Sequence, residues 1–195
     1  HGLVKTALLL VMATLLSGCY LQAAQRDFAR DGTVPWWCKG SQDLTQQECI
    51  NFSLSLDGGI VSNQQYATLG ALTAAGGVEV TNRPANIGVA FTKIATPTTF
   101  DPNGPNVLLY DGNTPTSRLV GVAWEIDSVS APEGFVGGRD VWSQDGTTGN
   151  WWLTAWVIRG YENHPNVFAA SHPCLTSTSS ILTSTTDACF TASHT

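Results

Sequence analysis

Charge is scarce in this chain. Only 12% of its 195 residues are Asp, Glu, Lys or Arg, and 9 Lys+Arg face 15 Asp+Glu. A basic nucleic-acid binder, a coiled coil and a disordered tail protein all need far more charge, of one sign or in periodic array, so these classes are excluded. No nucleic-acid partner is expected. No apolar run reaches the roughly 20 residues of a membrane-spanning helix. The chain also lacks a Gly-x-Ser-x-Gly elbow, a Gly-Lys-Ser/Thr phosphate loop, a dinucleotide fingerprint and a His-Glu-x-x-His pair, which removes the local signatures of several large enzyme classes. Cys-x-x-Cys is missing too, so a thiolate metal site would lack its usual spacing. What the chain does have is 43% apolar residues and 7 tryptophans, enough for one compact core.

The N-terminal segment carries the clearest signal. Lys5 precedes the apolar run Ala7 to Leu16, which ends in Leu16-Ser17-Gly18-Cys19, the charged, apolar and small-residue parts of a secretory signal peptide. Leu-Ser-Gly-Cys resembles the bacterial lipoprotein signal. The resemblance implies cleavage before Cys19, a diacylglycerol on its sulfur and an acyl group on its new amine. Residues 1–18 would then be a signal peptide and residues 19–35, poor in large apolar groups, a tether. Several acyl chains, each adding about 0.8 kcal/mol per buried CH2, give stable anchoring. The expected partner is a lipid bilayer, reached through acylated Cys19, and the expected location is the extracytoplasmic side of the cell envelope. Tyr20 in the next position fits sorting to the outer membrane if the host is Gram-negative.

Four cysteines remain: Cys38, Cys49, Cys174 and Cys189. An even number in an exported chain reads as disulfides. Three pairings are possible, and the short separations favour Cys38 with Cys49 and Cys174 with Cys189, each loop contributing about 3 kcal/mol.

The domain itself spans residues 36–174, followed by a Ser/Thr-rich tail, 175–195, which Cys189 would tie down. Thr45-Gln46-Gln47-Glu48 is a capping-box pattern, and Cys49, Phe52 and Leu56 recur at helical spacing before Gly58-Gly59, which predicts a helix over 46–57. Ser62 is placed to cap a second helix carrying Tyr66, Leu69 and Leu72 and ending at Gly76-Gly77. From Val78 the pattern alternates as strands do, over 78–81, 87–94, 106–110, 119–129 and 151–161. In the fourth, Val120, Val122, Trp124 and Ile126 are expected on one face. In the last, Trp152, Thr154, Trp156 and Ile158 alternate with Trp151, Leu153, Ala155 and Val157. Both patterns are apolar on two sides, so both strands should be central. Helices first and strands after is the segregated α+β order. The expected fold is an N-terminal helical hairpin packed on an antiparallel sheet, which could close into a barrel.

Phe100-Asp101-Pro102, Pro105, Leu108-Leu109-Tyr110-Asp111-Gly112, Arg118-Leu119-Val120-Gly121-Val122, the Trp-rich strand, and Asn166-Val167-Phe168-Ala169 before Pro173-Cys174 together resemble an uncharacterised group of secreted bacterial proteins. The likeness covers about residues 86–174. It implies a cupin-like sheet in which His and Glu side chains from neighbouring strands could hold a metal. Here the matching positions are Ala90, Ala123 and Thr154, which supply no ligand, so the likeness implies the fold and no resident cofactor is expected.

Three groups of residues are candidates for function. Glu162, His164 and His172 form the densest titratable cluster and could hold a metal or share a proton. Asp127, Glu133, Arg139 and Asp140 surround the Gly-rich loop Pro132 to Gly138 and could form a lid, or simply be solvated. The aromatic set of Trp124, Trp142, Trp151, Trp152 and Trp156 could line an apolar pocket with the Thr154 hydroxyl as a rare polar group, or pack as core. The candidate ligand-binding residues are thus Trp142, Trp124, Trp156 and Thr154. The expected function is a non-enzymatic binding or interaction module for a small apolar ligand or a protein partner. The alternative is a metal-dependent enzyme using Glu162, His164 and His172.

Overall fold

The computed structural model describes residues 19–162, 166–173 and 175. His164, Cys174 and Cys189 lie outside the described residues, as does the expected Cys174–Cys189 pair. The helices are α1 (Cys19–Asp31), α2 (Gln46–Val61) and α3 (Leu69–Ala74). The strands are β1 (Val78–Glu79), β2 (Val89–Thr92), β3 (Val107–Tyr110), β4 (Leu119–Ile126), β5 (Ser143–Gln144) and β6 (Trp151–Ala155). They form one antiparallel sheet in the order β1-β2-β3-β4-β6-β5. The α+β expectation holds. The sheet is open, however, with β1 and β5 at its edges, and does not close into a barrel.

The residues expected to form a tether are helical. Composition hid this helix because its apolar stripe is made of few residues: Tyr20 and Ala24 are buried, and Ala23 and Phe28 pack against the core; a helix this short draws its stability from such packing. α2 starts as the capping box predicts, with the Thr45 hydroxyl accepting from the Glu48 amide and the Glu48 carboxylate accepting from the Thr45 amide at 3.0 Å. It runs past Gly58-Gly59 to Val61. Those glycines are a close-approach surface: a Cβ on Gly59 would stand 3.3 Å from the Pro105 ring and one on Gly58 2.9 Å from Asn103. Ser62 closes α2, its hydroxyl donating to the Gly59 carbonyl. The next helix is therefore capped by Thr68 instead, and begins at Leu69. A short turn, Gln64–Tyr66, separates the two.

Every residue of β4 is buried, as a strand covered on both faces must be. One face packs against the helices. There Tyr20, Phe52, Leu56, Leu69 and Leu72 meet Phe91, Tyr110, Val122, Trp124, Ile126 and Leu153. The other face is a second core of Ile87, Ala90, Val107, Leu109, Val120, Ala123, Trp152, Trp156, Tyr161 and Leu175. Val120 thus lies opposite to Val122, Trp124 and Ile126, contrary to simple alternation. The cause is a bulge: Leu109 pairs with Gly121 but Tyr110 pairs with Leu119, leaving Val120 as the extra residue. β6 alternates as its sequence predicts, with Trp152 and Trp156 in the second core and Leu153, Ala155 and Val157 in the first.

Candidate functional site

The Cys38–Cys49 disulfide bolts the turn Trp36–Trp37–Cys38 onto α2. Trp37 is then fixed by its indole, which donates to the Ser53 hydroxyl at 2.9 Å, and Ser53 donates in turn to the Cys49 carbonyl. This turn supports the start of α1. The Tyr20 ring meets Trp37 edge-on at 4.9 Å, and its hydroxyl donates to the Val157 carbonyl just beyond β6. Burial, with the nearby carboxylates of Glu162 and Asp57, pushes the Tyr20 phenol far above its ordinary value, so it stays a donor.

Helix starts leave amides without intrahelical partners. In α1, two of these are taken by one side chain from α2: Asp57 accepts from the Tyr20 amide at 3.1 Å and from the Leu21 amide at 2.8 Å. The carboxylate also sits at the positive end of the helix dipole. Burial raises the Asp57 pKa, and the two amides oppose that rise. Beside this clasp lies a cleft of about 590 Å³ lined by Cys19, Tyr20, Ala23, Trp36, Trp37 and Ile60 among others, with Arg26, Arg159 and Glu162 also on its wall. Cys19 is exposed, and its thiol is free.

The tryptophans expected to share one pocket do not do so. Trp124 pairs across the sheet with Leu153, so it faces the helices, while Trp156 belongs to the other face, where Thr154 follows by alternation. Trp124 and Trp142 instead flank Phe100, at 5.8 and 5.7 Å. Trp156 is held by its indole on the Ala169 carbonyl, and a Cβ on Gly121 would stand 2.9 Å from its ring. Ala90, Ala123 and Trp156 are fully buried and Thr154 is 2% exposed. Gly121 thus makes room for the Trp156 indole, with Ala90, Ala123 and Thr154 buried in the same interior. Ala123→Leu is expected to lower the melting midpoint, at a cost of about 1–3 kcal/mol; an unchanged or raised midpoint would reveal a cavity here.

Glu162 and His172 have different neighbours. Glu162 lines the cleft at Cys19, with its carboxylate accepting from the Gly160 amide at 2.7 Å. His172 is buried against the Trp156 ring at 4.9 Å, and burial lowers its pKa while a hydrogen bond to the Tyr161 backbone works the other way. Among the described residues, no group of three His, Cys, Asp or Glu side chains is arranged to hold a metal.

The Gly-rich loop is pinned rather than hanging free. Phe135 inserts among Phe52, Phe100, Trp124 and Phe168, with ring centroids 5.0–5.3 Å away. Arg139 stacks over Phe52 at 4.5 Å and donates to the Trp37 carbonyl at 2.6 Å. Next to it, burial pushes the Asp140 carboxyl up from 3.8 to about 6, against the pull of the Phe135 amide and Arg139. The folded chain therefore binds more protons than the unfolded chain between those values, and stability falls as pH rises through that window. Asp140→Asn should flatten this part of the stability profile, measured by denaturant titration at a series of pH values. An identical slope in the variant would contradict the assignment.

Sequence reading missed Asp57, Phe135 and Glu125. Glu125 is a 5% exposed carboxylate that accepts from the Asn150 amide at 2.7 Å and the Thr96 hydroxyl at 3.4 Å. All three depend on partners far away in sequence, so no local pattern announces them. Comparison with known proteins gives no match: no family model fits the chain, and no curated protein or solved structure shows significant similarity to it.

Proposed function

We propose that this protein is a lipid-anchored, extracytoplasmic binding domain, held at the membrane by acyl groups on Cys19 and displaying its helical side close to the bilayer. The observation that supports this reading is the clasp that Asp57 makes immediately after Cys19. In α1, the amides of Tyr20 and Leu21, directly after Cys19, both donate to Asp57 of α2. A chain cleaved before Cys19 would keep that cap. Acylation of the new amine would also remove a positive charge that the helix dipole opposes at this end. Because residues 19–31 are a docked helix, the anchor is short and the domain would rest on the membrane surface. The exposed Val61 and the cleft walls of Trp36 and Ile60 support this reading, since they give the side that carries Cys19 an apolar surface. The ligand of the binding domain is then sought on this helical side, since the sheet tryptophans are packed on two separate faces.

Radiolabelled palmitate and membrane fractionation test the reading in cells. Wild type should carry label and sediment with membranes, whereas Cys19→Ala should lose the label and appear in the soluble fraction. Label that persists in Cys19→Ala, or that is missing from wild type, would contradict it.

A further inference from the structure

We infer that a second cavity, between the disulfide turn and the Gly-rich loop, is a binding site for a small organic acid, with Arg139 receiving the carboxylate. The cavity measures about 210 Å³, and Lys39, Ser41, Arg139 and Asn166 line it over Phe52 and Phe168. Two cationic side chains therefore meet at one concave site in a chain whose net charge is −6.

Arg139 supplies the main argument. A guanidinium offers five N–H donors and stays charged. One nitrogen, Nη1, donates to the Trp37 carbonyl. The other two, Nε and Nη2, are buried and make no hydrogen bond. These lie on one edge of the guanidinium, the edge that binds a carboxylate with two parallel bonds. Asp43 and Asp140 act on Arg139 only through space, and no ion pair with it forms among the described residues, whereas Arg26, Arg30, Arg83 and Arg118 are all ion-paired. A buried donor without an acceptor has lost its hydration with nothing in return, so native proteins rarely leave such groups without a reason. An incoming carboxylate would satisfy both. The edge is shut from solvent in this conformation; Gly138, at φ +58°, lines the cavity next to Arg139, and the loop must shift there to admit the ligand. The aromatic floor of Phe52 and Phe168 favours an acid with an apolar body over a bare inorganic anion. Lys39 at the mouth would draw the anion in. The site is separate from Cys19 and does not depend on the anchor.

Isothermal titration of the full-length protein with benzoate, benzamide, acetate and inorganic phosphate tests the assignment. Benzoate should bind saturably and raise the melting midpoint, with acetate and phosphate at least about tenfold weaker and neutral benzamide weaker still. Arg139→Gln should abolish benzoate binding. Because that change also removes the bond to Trp37 and could unfold the loop, Lys39→Gln and Ser41→Ala serve as milder variants. Each should weaken benzoate severalfold while leaving the unliganded melting midpoint in place. Equal binding of benzoate and benzamide, phosphate as tight as benzoate, no binding at millimolar concentration, or full affinity in all three variants would each overturn the proposal.

Discussion

Asp57→Ala should lower the free energy of unfolding by about 2–3 kcal/mol, the range for losing an N-cap whose acceptor is charged. Both carboxylate oxygens are engaged, one on the Tyr20 amide and one on the Leu21 amide. Removing them leaves two helix-terminal donors beside the Tyr20 ring, which is only 8% exposed. Asp57→Asn keeps one acceptor and should fall in between. The loss should also be local at first, because the clasp lies at the first turn of α1, a helix that puts only Tyr20 and Ala24 in the core, with Ala23 and Phe28 packed at its edge. Limited proteolysis of Asp57→Ala is expected to cut within residues 19–31 before it touches the sheet. Wild-type stability, or first cleavage elsewhere, would show that α1 is held in another way.

Phe135→Ala should cost more, about 3–5 kcal/mol, as expected when a buried aromatic side chain is truncated. Its ring is the hub of the aromatic cluster on the helical face: it stacks on Phe168 at 5.0 Å and meets Phe52, Phe100 and Trp124 edge-on. The Gly-rich loop has few other anchors, chiefly the Arg139 bond to Trp37 and the Asp140 bond to the Phe135 amide. With Phe135 truncated, water should reach Trp124 and Trp142, and the tryptophan emission should shift to the red. Phe135→Leu should recover much of the loss. A variant as stable as wild type, with unshifted emission, would mean that the loop is fixed without this residue.

Those two residues also show where a sequence stops being readable. Features set within a few residues were legible: the capping box at Thr45 and Glu48, the two-sided alternation of β6, and the Cys38–Cys49 pair all came through in the structure. Each is a local rule with a local cause. Features that depend on a distant partner were not. α1 looks like a polar tether because Asp57, 37 residues from Tyr20 in sequence, supplies what its own sequence lacks. Gly58-Gly59 looks like a helix stop because Pro105 and Asn103, which need the small residues there, are far along the chain. The bulge at Val120 leaves no mark on the alternation, yet it moves Val120 to the opposite face. Register decided the candidate site as well. Trp124 and Trp156 are both apolar strand residues, and only the pairing of Trp124 with Leu153 reveals that a sheet stands between them.

The most direct measurement is intact-mass and tandem mass spectrometry of the N-terminal peptide from protein extracted out of membranes with detergent. Anchoring through Cys19 predicts that this peptide begins at Cys19 and carries a diacylglyceryl thioether and an N-acyl group: alkali should release the two ester-linked chains as fatty acids and acid the amide-linked one, with the glyceryl thioether left on the cysteine. A mature peptide that starts at any other residue, or one that starts at Cys19 with an unmodified thiol and a free amine, would contradict it.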